Sequence, residues 1–384
     1  MKEKSIDRDK ILGKVRDYIK REGLICKGQR VLVAVSGGAD SVCLLLLLDL
    51  LKDVFCFSLE AVTVDHGIRG EEALSDVDFV DRLCKERKIP LHICHVDVPA
   101  LSKKESLSLE EAARKARYAC FRKLAVERNM DAIAIAHHME DSAETILHNL
   151  FRGSGLRGLR GLAPLRKDGC FTYIRPLLCL SRNEIEEWLR AKGASFVTDS
   201  TNSDEAYTRN YIRRQILPRI KEKVNKKADL HIKQAGDILG EAYLVIKDQA
   251  EEWFGKEKIS LTENSISLPV DSLLKLRPII RREIYLQVLD RFSDSGMLKD
   301  VSGNNLEKID DLCFGREART FEVLGKITIY RQYGRLYFYE KTKEIPVQEK
   351  SITSLPIEGT SDLLSLSCCE SFDISVRIFT CTGE

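Results

Sequence analysis

The first half of the chain alternates short apolar runs with longer amphipathic segments. The run from Val31 to Val35 is β-branched and apolar on both faces, which is typical of a strand buried in a parallel sheet. The pattern predicts strands at 31–35, 59–64, 91–98 and 132–136, and helices at 11–21, 41–52, 76–88 and 109–128. This alternation indicates an α/β fold with a doubly wound, mostly parallel sheet.

A glycine-rich turn, Ser36 to Ser41, separates the first strand from a Leu-rich helix. Gly37 and Gly38 lack Cβ atoms, so backbone N–H groups and the positive helix end point at one spot, which suits a phosphate. Asp40 would repel a phosphate unless a cation such as Mg²⁺ lay between them. Asp40 or Ser41 is expected to cap the helix. An ordinary turn without a ligand is the alternative.

Polar residues follow three of the predicted strands. They are Ser36 to Ser41, the pair Asp65 and His66, and the pair His137 and His138. Ligands of such sheets bind outside the carboxyl ends of the strands. These residues are therefore expected to meet in one site.

The pattern changes beyond residue 220. The stretch 221–345 is predicted to be mainly helical, with a hairpin at 321–339 that turns at Tyr333 to Arg335. The stretch 346–384 looks like the start of a further, β-containing domain, naturally short or truncated. Residues 1–220 would form the first domain.

Composition narrows the class of protein. The 384 residues are 43% hydrophobic and 31% charged, with a net charge of +2. No apolar stretch reaches membrane-spanning length and the N-terminus has no apolar signal core, so a cytoplasmic protein without membrane contact is expected. The 12 cysteines include no C-x-x-C pair, which argues against a zinc ribbon or an iron–sulfur cluster.

A second glycine-rich segment, residues 153–158, matches G-x-G-x-x-G. A helical pattern precedes it, whereas a dinucleotide site needs a strand there. It is therefore interpreted as a flexible basic loop, with Arg152, Arg157 and Arg160 free to meet phosphates. A solvated surface loop is the alternative.

The turn Ser-Gly-Gly-x-Asp-Ser between strand and helix resembles the signature of PP-loop ATP pyrophosphatases. Further segments resemble bacterial tRNA(Ile)-lysidine synthetases, strongly over residues 28–220 and more weakly to about 340. These segments are AVTVDHGIRGEEALSDVDFV, SLEEAARKARYACF, AIAHHMEDSAETILHNLFRGSGLRGL, RPLL and DSTNSDEAYTRNYIRRQILP.

The resemblance implies an enzyme that uses ATP and Mg²⁺ to adenylate the first anticodon cytidine of a CAU-bearing isoleucine tRNA. Free L-lysine then attacks C2 to give lysidine, with release of AMP and pyrophosphate. The helical region would contact the tRNA, and a homodimer is one expectation for the oligomeric state. Another PP-loop tRNA-modifying enzyme, or a non-catalytic RNA-binding relative, remains an alternative.

The residues and the resemblance together predict the site. The catalytic residues would be Asp40, His137, Asp141, Glu144 and Arg209. ATP would be bound by Ser36, Gly37, Gly38, Ala39, Asp40, Ser41, Asp65 and His66. The tRNA would be bound by Arg152, Arg157, Arg160, Arg209, Arg213 and Arg214, and the metal by Asp40 and Asp141.

Within this set, the individual roles stay open. Asp141 and Glu144 share a helix face, so one would assist Mg²⁺ and the other would hold an amine of lysine. A neutral histidine of the pair could accept a proton from the attacking ammonium. Arg209 and Arg213 share a face of a basic helix that suits a polyanion, with a solvated face as the alternative.

The chain departs from the family pattern at three positions. Glu140 replaces an aspartate, Ser142 replaces a glutamine, and Ser200 replaces a proline. Ser142 keeps a hydrogen-bonding group but has less reach. The departures bear on substrate positioning and leave the class of reaction unchanged.

Overall fold

The computed structural model describes residues 9–68, 71–197, 208–262, 264–292, 301–315, 320–340, 364–367 and 373–376. Two compact units are present, Met1–Glu340 and Lys341–Glu384. No helix in these described ranges is long and apolar enough to cross a membrane.

The first unit opens with the predicted alternation of strands and helices. The strands are β1 (Arg30–Ala34), β2 (Ser58–Asp65), β3 (Leu91–His95), β4 (Ala132–Ala134), β5 (Leu165–Asp168) and β6 (Phe171–Ile174). The helices are α1 (Lys10–Arg21), α2 (Ala39–Phe55), α3 (Glu71–Arg87), α4 (Val98–Glu105), α5 (Leu109–Glu127), α6 (Met139–Phe151), α7 (Leu156–Leu159) and α8 (Arg182–Ala191).

The six strands form one sheet in the order β3-β2-β1-β4-β6-β5. All neighbours are parallel except β5, which runs antiparallel to β6. This confirms the predicted doubly wound α/β fold. The chain order reverses between β1 and β4, which is the switch point where such sheets bind ligands.

Both faces of the central strand are buried, as its uninterrupted apolar run requires. Val31 and Val33 pack into a core with α1, α2 and α8, whereas Leu32 packs on the other face with α5. Helix α2 is buried along most of its length, which explains why its sequence is apolar all round. The end of β1 is thereby fixed on both sides.

Two local predictions need correction, and the RPLL segment forms a 3₁₀ helix at Pro176–Cys179. The predicted strand 91–98 ends at His95, because Asp97 caps a new helix by accepting from the backbone N–H of Ala100. The N-cap of α2 is Gly38 and not Asp40 or Ser41, so both lie in its first turn.

A helix with a π-helical segment follows: α9 (Thr208–Tyr211), the π turn Ile212–Ile216, and α10 (Leu217–Lys223). Pro218 lacks an N–H and its ring crowds a regular helix, so a wider turn before it relieves the conflict. The next helix, α11 (Ala228–Lys256), is long and packs on α6.

The region expected to be mainly helical also carries a five-stranded antiparallel sheet. Its strands are β7 (Ser260–Leu261), β8 (Ser265–Pro269), β9 (Thr320–Val323), β10 (Ile327–Gln332) and β11 (Arg335–Glu340), in the order β7-β8-β11-β10-β9. The helices α12 (Val270–Leu273), α13 (Pro278–Arg291) and α14 (Gly303–Phe314) complete this part. The predicted hairpin is β10–β11, where Tyr333 and Gly334 both adopt positive φ.

In the second unit, β12 (Leu364–Ser367) pairs antiparallel with β13 (Asp373–Val376). Both strands lie in the stretch 346–384, which was predicted to contain β structure. The boundaries predicted at 220 and 345 stay predictions.

Candidate active site

The turn after β1 is closed by its own serines. The hydroxyl of Ser41 accepts from the backbone N–H of Ser36 at 3.1 Å and donates to the carbonyl of Gly38 at 2.9 Å. Gly37 has a φ of +86°, which side-chain-bearing residues rarely adopt. The turn, with Ala39 and Asp40 behind it, is therefore a preformed cradle at the N-terminus of a 17-residue helix.

Asp40 has one engaged and one free carboxylate oxygen. Its Oδ2 lies 3.4 Å from Nη1 of Arg182 and 3.8 Å from Nε2 of His138. Its Oδ1 is buried, and no described residue forms a hydrogen bond with it. Burial raises the pKa of this carboxyl, although the charges of His138 and Arg182 oppose the shift. The free oxygen is thus a ready position for an added cation.

His138 lies among three carboxylates. Its backbone N–H donates to Oδ2 of Asp141 at 2.9 Å, and its ring Nδ1 lies 3.0 Å from Oε2 of Glu140. Burial acts to lower the pKa of this imidazole, but Glu140, Asp141 and Asp40 outweigh burial and raise it. His138 is therefore disposed to carry a proton and to hold Asp40 and Asp141 close to each other.

His137, in contrast to His138, is held in the unprotonated, neutral form. Arg175 donates from Nε to Nδ1 of His137 at 3.2 Å. Burial, helped by the charges of Arg175 and Arg209 and opposed by Asp141, lowers the pKa of His137 to about 3. With Nδ1 engaged and so little basicity, His137 is poorly suited to the proton-accepting role that the sequence suggested.

Two arginines meet the acids of α6. Arg213 donates from Nη2 to Oδ1 of Asp141 and from Nε to Oε1 of Glu144, both at 2.7 Å. Arg209 lies 3.8 Å from the same Asp141 oxygen and 3.6 Å from Oε2 of Glu144. Arg209 and Arg213 thus share a face, as predicted, but that face contacts the acids of the site.

The two acids differ in their electrostatic balance. Burial tends to raise the pKa of Asp141, but His138, His137 and Arg213 together lower it. Burial also raises the pKa of Glu144, and there Arg213 does not fully compensate. Within the part of the chain that the structure describes, Oε2 of Glu144 is buried without a hydrogen bond and lies 3.6 Å from Nε of Arg209. Glu144 is the better proton acceptor of the two.

The basic loop is more ordered than predicted. Arg157, at the start of the short helix α7, pairs with Asp290 at 2.7 Å, and the guanidinium of Arg160 lies 4.5 Å from the ring centre of Tyr243. Arg152 is exposed and Arg214 is half-buried. Helix α6 precedes the G-x-G-x-x-G segment, which agrees with rejecting a dinucleotide site. Of the three loop arginines, Arg152 is the one left without a packed partner among the described residues.

Asp65 and His66 end β2, beside β1. Asp65 accepts from the backbone N–H of Gly67 at 3.0 Å and lies 3.1 Å from Nδ1 of His95, and these contacts lower the pKa of its carboxyl. The pair lies at the predicted edge of the sheet. Its role in nucleotide binding stays a prediction.

Two departures from the family pattern have structural roles here. Glu140 accepts from the backbone N–H of Arg182 at 3.1 Å, which ties α6 to the start of α8. The hydroxyl of Ser142 accepts from the backbone N–H of Leu162 at 3.2 Å. Gly161 packs so close that a Cβ there would lie 2.6 Å from this hydroxyl. The third departure, Ser200, lies outside the described residues.

Sequence reasoning missed Arg175 as a site residue. It comes directly after β6, whose parallel neighbour β4 leads into the two histidines. A charged residue immediately after a buried strand was the available signal. Within the described residues, no group of three histidine, cysteine or acidic side chains is arranged to hold a metal on its own.

Known proteins support this description. A family profile described as a PP-loop domain matches residues 9–220. The U34-tRNA thiolase NcsA from Methanococcus maripaludis superposes with a TM-score of 0.50 at 19% identity, over 60% of this chain and 79% of that one. At that identity the likeness shows the fold alone.

The similarity in sequence is greater to tRNA(Ile)-lysidine synthases. The protein of that name from Dehalococcoides mccartyi is 35% identical over 77% of this chain and 63% of its own length. That from Caldanaerobacter subterraneus is 32% identical over 92% of this chain and 75% of its own. The protein from Clostridioides difficile is 33% identical over 91% of this chain and 72% of its own length. These matches confirm the resemblance in the motifs, and the chain belongs to the tRNA(Ile)-lysidine synthase family.

Proposed function

We propose that the protein ligates lysine to C2 of the first anticodon cytidine of a CAU-bearing isoleucine tRNA, using ATP and releasing AMP and pyrophosphate. One observation carries the proposal beyond family membership. Two buried carboxylate oxygens, Oδ1 of Asp40 and Oε2 of Glu144, have no hydrogen-bond partner among the described residues. Buried acceptors normally find donors, so each is suited to a cationic group that arrives with a substrate.

The nucleotide half of the site is the cradle at residues 36–41. The triphosphate would lie at the N-terminus of α2, where backbone N–H groups and the helix dipole favour anions. Mg²⁺ fits here because it takes one or two carboxylates together with phosphate oxygens, and Asp40 offers its free Oδ1. When bound, the ion would neutralise charge on the departing pyrophosphate.

Asp141 is a less available metal ligand than Asp40. Its Oδ1 accepts from Arg213 and its Oδ2 accepts from the backbone N–H of His138. To bind a cation, each oxygen of Asp141 would have to share or exchange its present hydrogen-bond donor. Asp40 would therefore be the first ligand for Mg²⁺, and Asp141 would support it through His138, whose Nε2 lies within 3.8 Å of both carboxylates.

The amine half of the site is Glu144. An ammonium at its free Oε2 would gain a charge-assisted hydrogen bond. The ammonium must lose a proton before its nitrogen can attack C2, and the raised pKa of Glu144 favours acceptance of that proton. The new bond joins the lysine nitrogen to C2, while the bond from C2 to the adenylated oxygen breaks and AMP leaves.

The tRNA would approach the same edge of the sheet. Arg152 is exposed at the end of α6, and Arg214 lies on the helix that also carries Arg209 and Arg213. These cations are suited to phosphate contacts, which position an RNA without reading its sequence. Arg157 and Arg160 are engaged with Asp290 and Tyr243, so we assign them to the packing of α7.

Two other functions are less well supported. Thiolation that depends on an iron–sulfur cluster would need grouped cysteines, and the described residues hold no such group. A non-catalytic RNA-binding relative would have no need for Asp40, Asp141 and Glu144, all of which are present around the cradle.

The test is a labelled-lysine assay with purified protein, tRNA transcript and ATP. Incorporation of lysine into the tRNA should require ATP and yield one AMP per lysine. ATP-dependent modification without lysine would point to another PP-loop enzyme. Tight tRNA binding without AMP formation would point to the non-catalytic relative.

A further inference from the structure

Arg175 is a buried cation aimed at the site. Its side chain is 4% exposed, and it follows β6 directly. Its Nη1 donates to the carbonyl of Ala163 at 2.6 Å, while its Nε donates to Nδ1 of His137 at 3.2 Å. Within the described ranges it forms no ion pair with a carboxylate, so its charge is not neutralised by the fold there.

The bond from Arg175 fixes where His137 carries its proton. A guanidinium has only donors, so Nδ1 of His137 must be the acceptor. A neutral imidazole has one N–H, which must then be at Nε2. No described residue accepts a hydrogen bond from this Nε2–H, so the donor is available to a bound molecule.

A role in folding alone does not account for this arrangement. Burying a guanidinium without a carboxylate partner costs roughly several kcal/mol of desolvation free energy. An apolar side chain could fill the same space without that cost. The contact makes sense if the position and state of His137 matter for chemistry at the carboxyl ends of β4 and β1, where the phosphate cradle begins.

We propose that Arg175 is a positioning residue that holds His137 as the Nε2–H tautomer, so that His137 donates to an anionic phosphate oxygen of the bound nucleotide. The inference rests on the proposed function. In it, His137 is a fixed hydrogen-bond donor that stabilises charge on the phosphate as pyrophosphate leaves. It does not accept the proton of lysine, which goes to Glu144.

The tautomer is measurable without any substrate. Nitrogen-15 spectra of the protein with labelled histidine separate protonated from unprotonated ring nitrogens, and loss of one signal set in His137→Gln assigns His137. At neutral pH we expect Nδ1 to be unprotonated and Nε2 protonated. A protonated Nδ1 on His137, as the other tautomer or as imidazolium, would overturn the proposal.

Arg175→Met tests the positioning role, because methionine has similar length but donates no hydrogen bond. We expect mixed tautomers for His137 and a fall of about tenfold or more in kcat, with little change in the KM for lysine. Arg166→Met is the matched control, since Arg166 pairs with Asp168 and not with His137. A single unchanged Nε2–H tautomer in Arg175→Met would contradict the proposal.

A second pair of variants decides the matter even if Arg175→Met fails to fold. His137→Gln keeps an N–H near the Nε2 position but cannot accept a proton, whereas His137→Ala has neither ability. We expect the glutamine variant to be about tenfold or more as active as the alanine variant. Equal loss in both variants would indicate a proton-accepting histidine and refute the donor role.

These readouts separate two kinds of failure. If the protein transfers no lysine, the proposed function fails, but the tautomer in the spectra still tests the link between Arg175 and His137. If lysine is transferred and the tautomer is wrong, only the present inference fails.

Discussion

Arg213 donates its Nε–H to Oε1 of Glu144 at 2.7 Å, across 69 residues of chain. The same guanidinium holds Asp141, so one arginine links the acids of α6 to the π-helical segment that follows the first domain's sheet. π turns are rare and occur often at functional sites. The lysine binding proposed at Glu144 would therefore take place next to an existing cation, at Oε2, the carboxylate oxygen that Arg213 does not bond.

The first prediction concerns Asp40. Asp40→Asn should abolish pyrophosphate release, because an amide cannot balance a divalent cation next to the phosphates. The melting temperature should stay close to that of the wild type, since burial already disfavours the charged form of this carboxyl. Asp237→Asn, in a surface pair with Lys233, is the control. Normal pyrophosphate release by Asp40→Asn would remove Asp40 from the metal site.

The second prediction contrasts the two acids of α6. Glu144→Gln should raise the KM for lysine about 10- to 100-fold, as expected for loss of a charge-assisted hydrogen bond, and change the KM for ATP much less. Asp141→Asn should show the reverse, because the role proposed for Asp141 is to support Asp40 in the nucleotide half through His138. Steady-state kinetics with lysine and ATP varied separately make the comparison.

Glu251→Gln, on the exposed part of α11, is the control for the acid-to-amide change. If neither Glu144→Gln nor Asp141→Asn alters a KM or the turnover, the pair is structural and the amine site lies elsewhere.

The third prediction separates cations that meet RNA from cations that hold the site. Arg152→Ala should reduce the salt dependence of tRNA binding by a slope of about one, because the exposed guanidinium is suited to a phosphate. Arg213→Ala should leave that slope unchanged and instead alter the KM for lysine, since Arg213 is engaged with Asp141 and Glu144. Binding curves over a range of salt concentrations give both slopes. A reduced slope in Arg213→Ala would return this residue to the tRNA interface.

The fourth prediction concerns the contact between α6 and α11. At Gly236 an added Cβ would lie 2.4 Å from Cδ1 of Ile146, whereas at Gly240 it would lie 3.7 Å from Cβ of Arg160. Gly240→Ala should therefore stabilise the protein by up to about 1 kcal/mol through helix propensity. Gly236→Ala should destabilise it by about 1–3 kcal/mol through overpacking.

Denaturant unfolding of these two alanine variants measures the difference. They change the same helix in the same way, so they control for each other. Equal stabilisation in both would show that α11 does not approach α6 as closely as the structure has it.

The parts of the fold that sequence predicted well are those set by local pattern. The strand at Val31 to Val35 and the turn at Ser36 to Ser41 follow from apolar periodicity and glycine placement, which need no knowledge of distant residues. The strands β7 and β8 were missed because they are short, and β8 pairs with β11, which lies far away in the chain. Strand propensity predicts such short, long-range-paired strands least well.

The residues of the site also divide into those that local motifs identify and those that depend on contacts far away in the chain. Asp40, Asp141 and Glu144 were identified from motifs, and the structure brings Asp40 and Asp141 to within 3.8 Å of one imidazole nitrogen, Nε2 of His138. The contact of Arg175 with His137 spans 38 residues and that of Arg213 with Asp141 spans 72. The periodicity of a sequence does not predict such long-range contacts. The protonation of the two histidines could therefore not be predicted until their partners in the structure were known.

The proposed ligation of lysine is tested most directly with two transcripts that share the CAU anticodon, one an isoleucine tRNA and the other a methionine tRNA. Each would be incubated with the protein, ATP and labelled lysine, then digested to locate the label. We expect label on the first anticodon nucleoside of the isoleucine tRNA and none on the methionine tRNA. ATP consumption with the isoleucine transcript but no lysine on that nucleoside would contradict it.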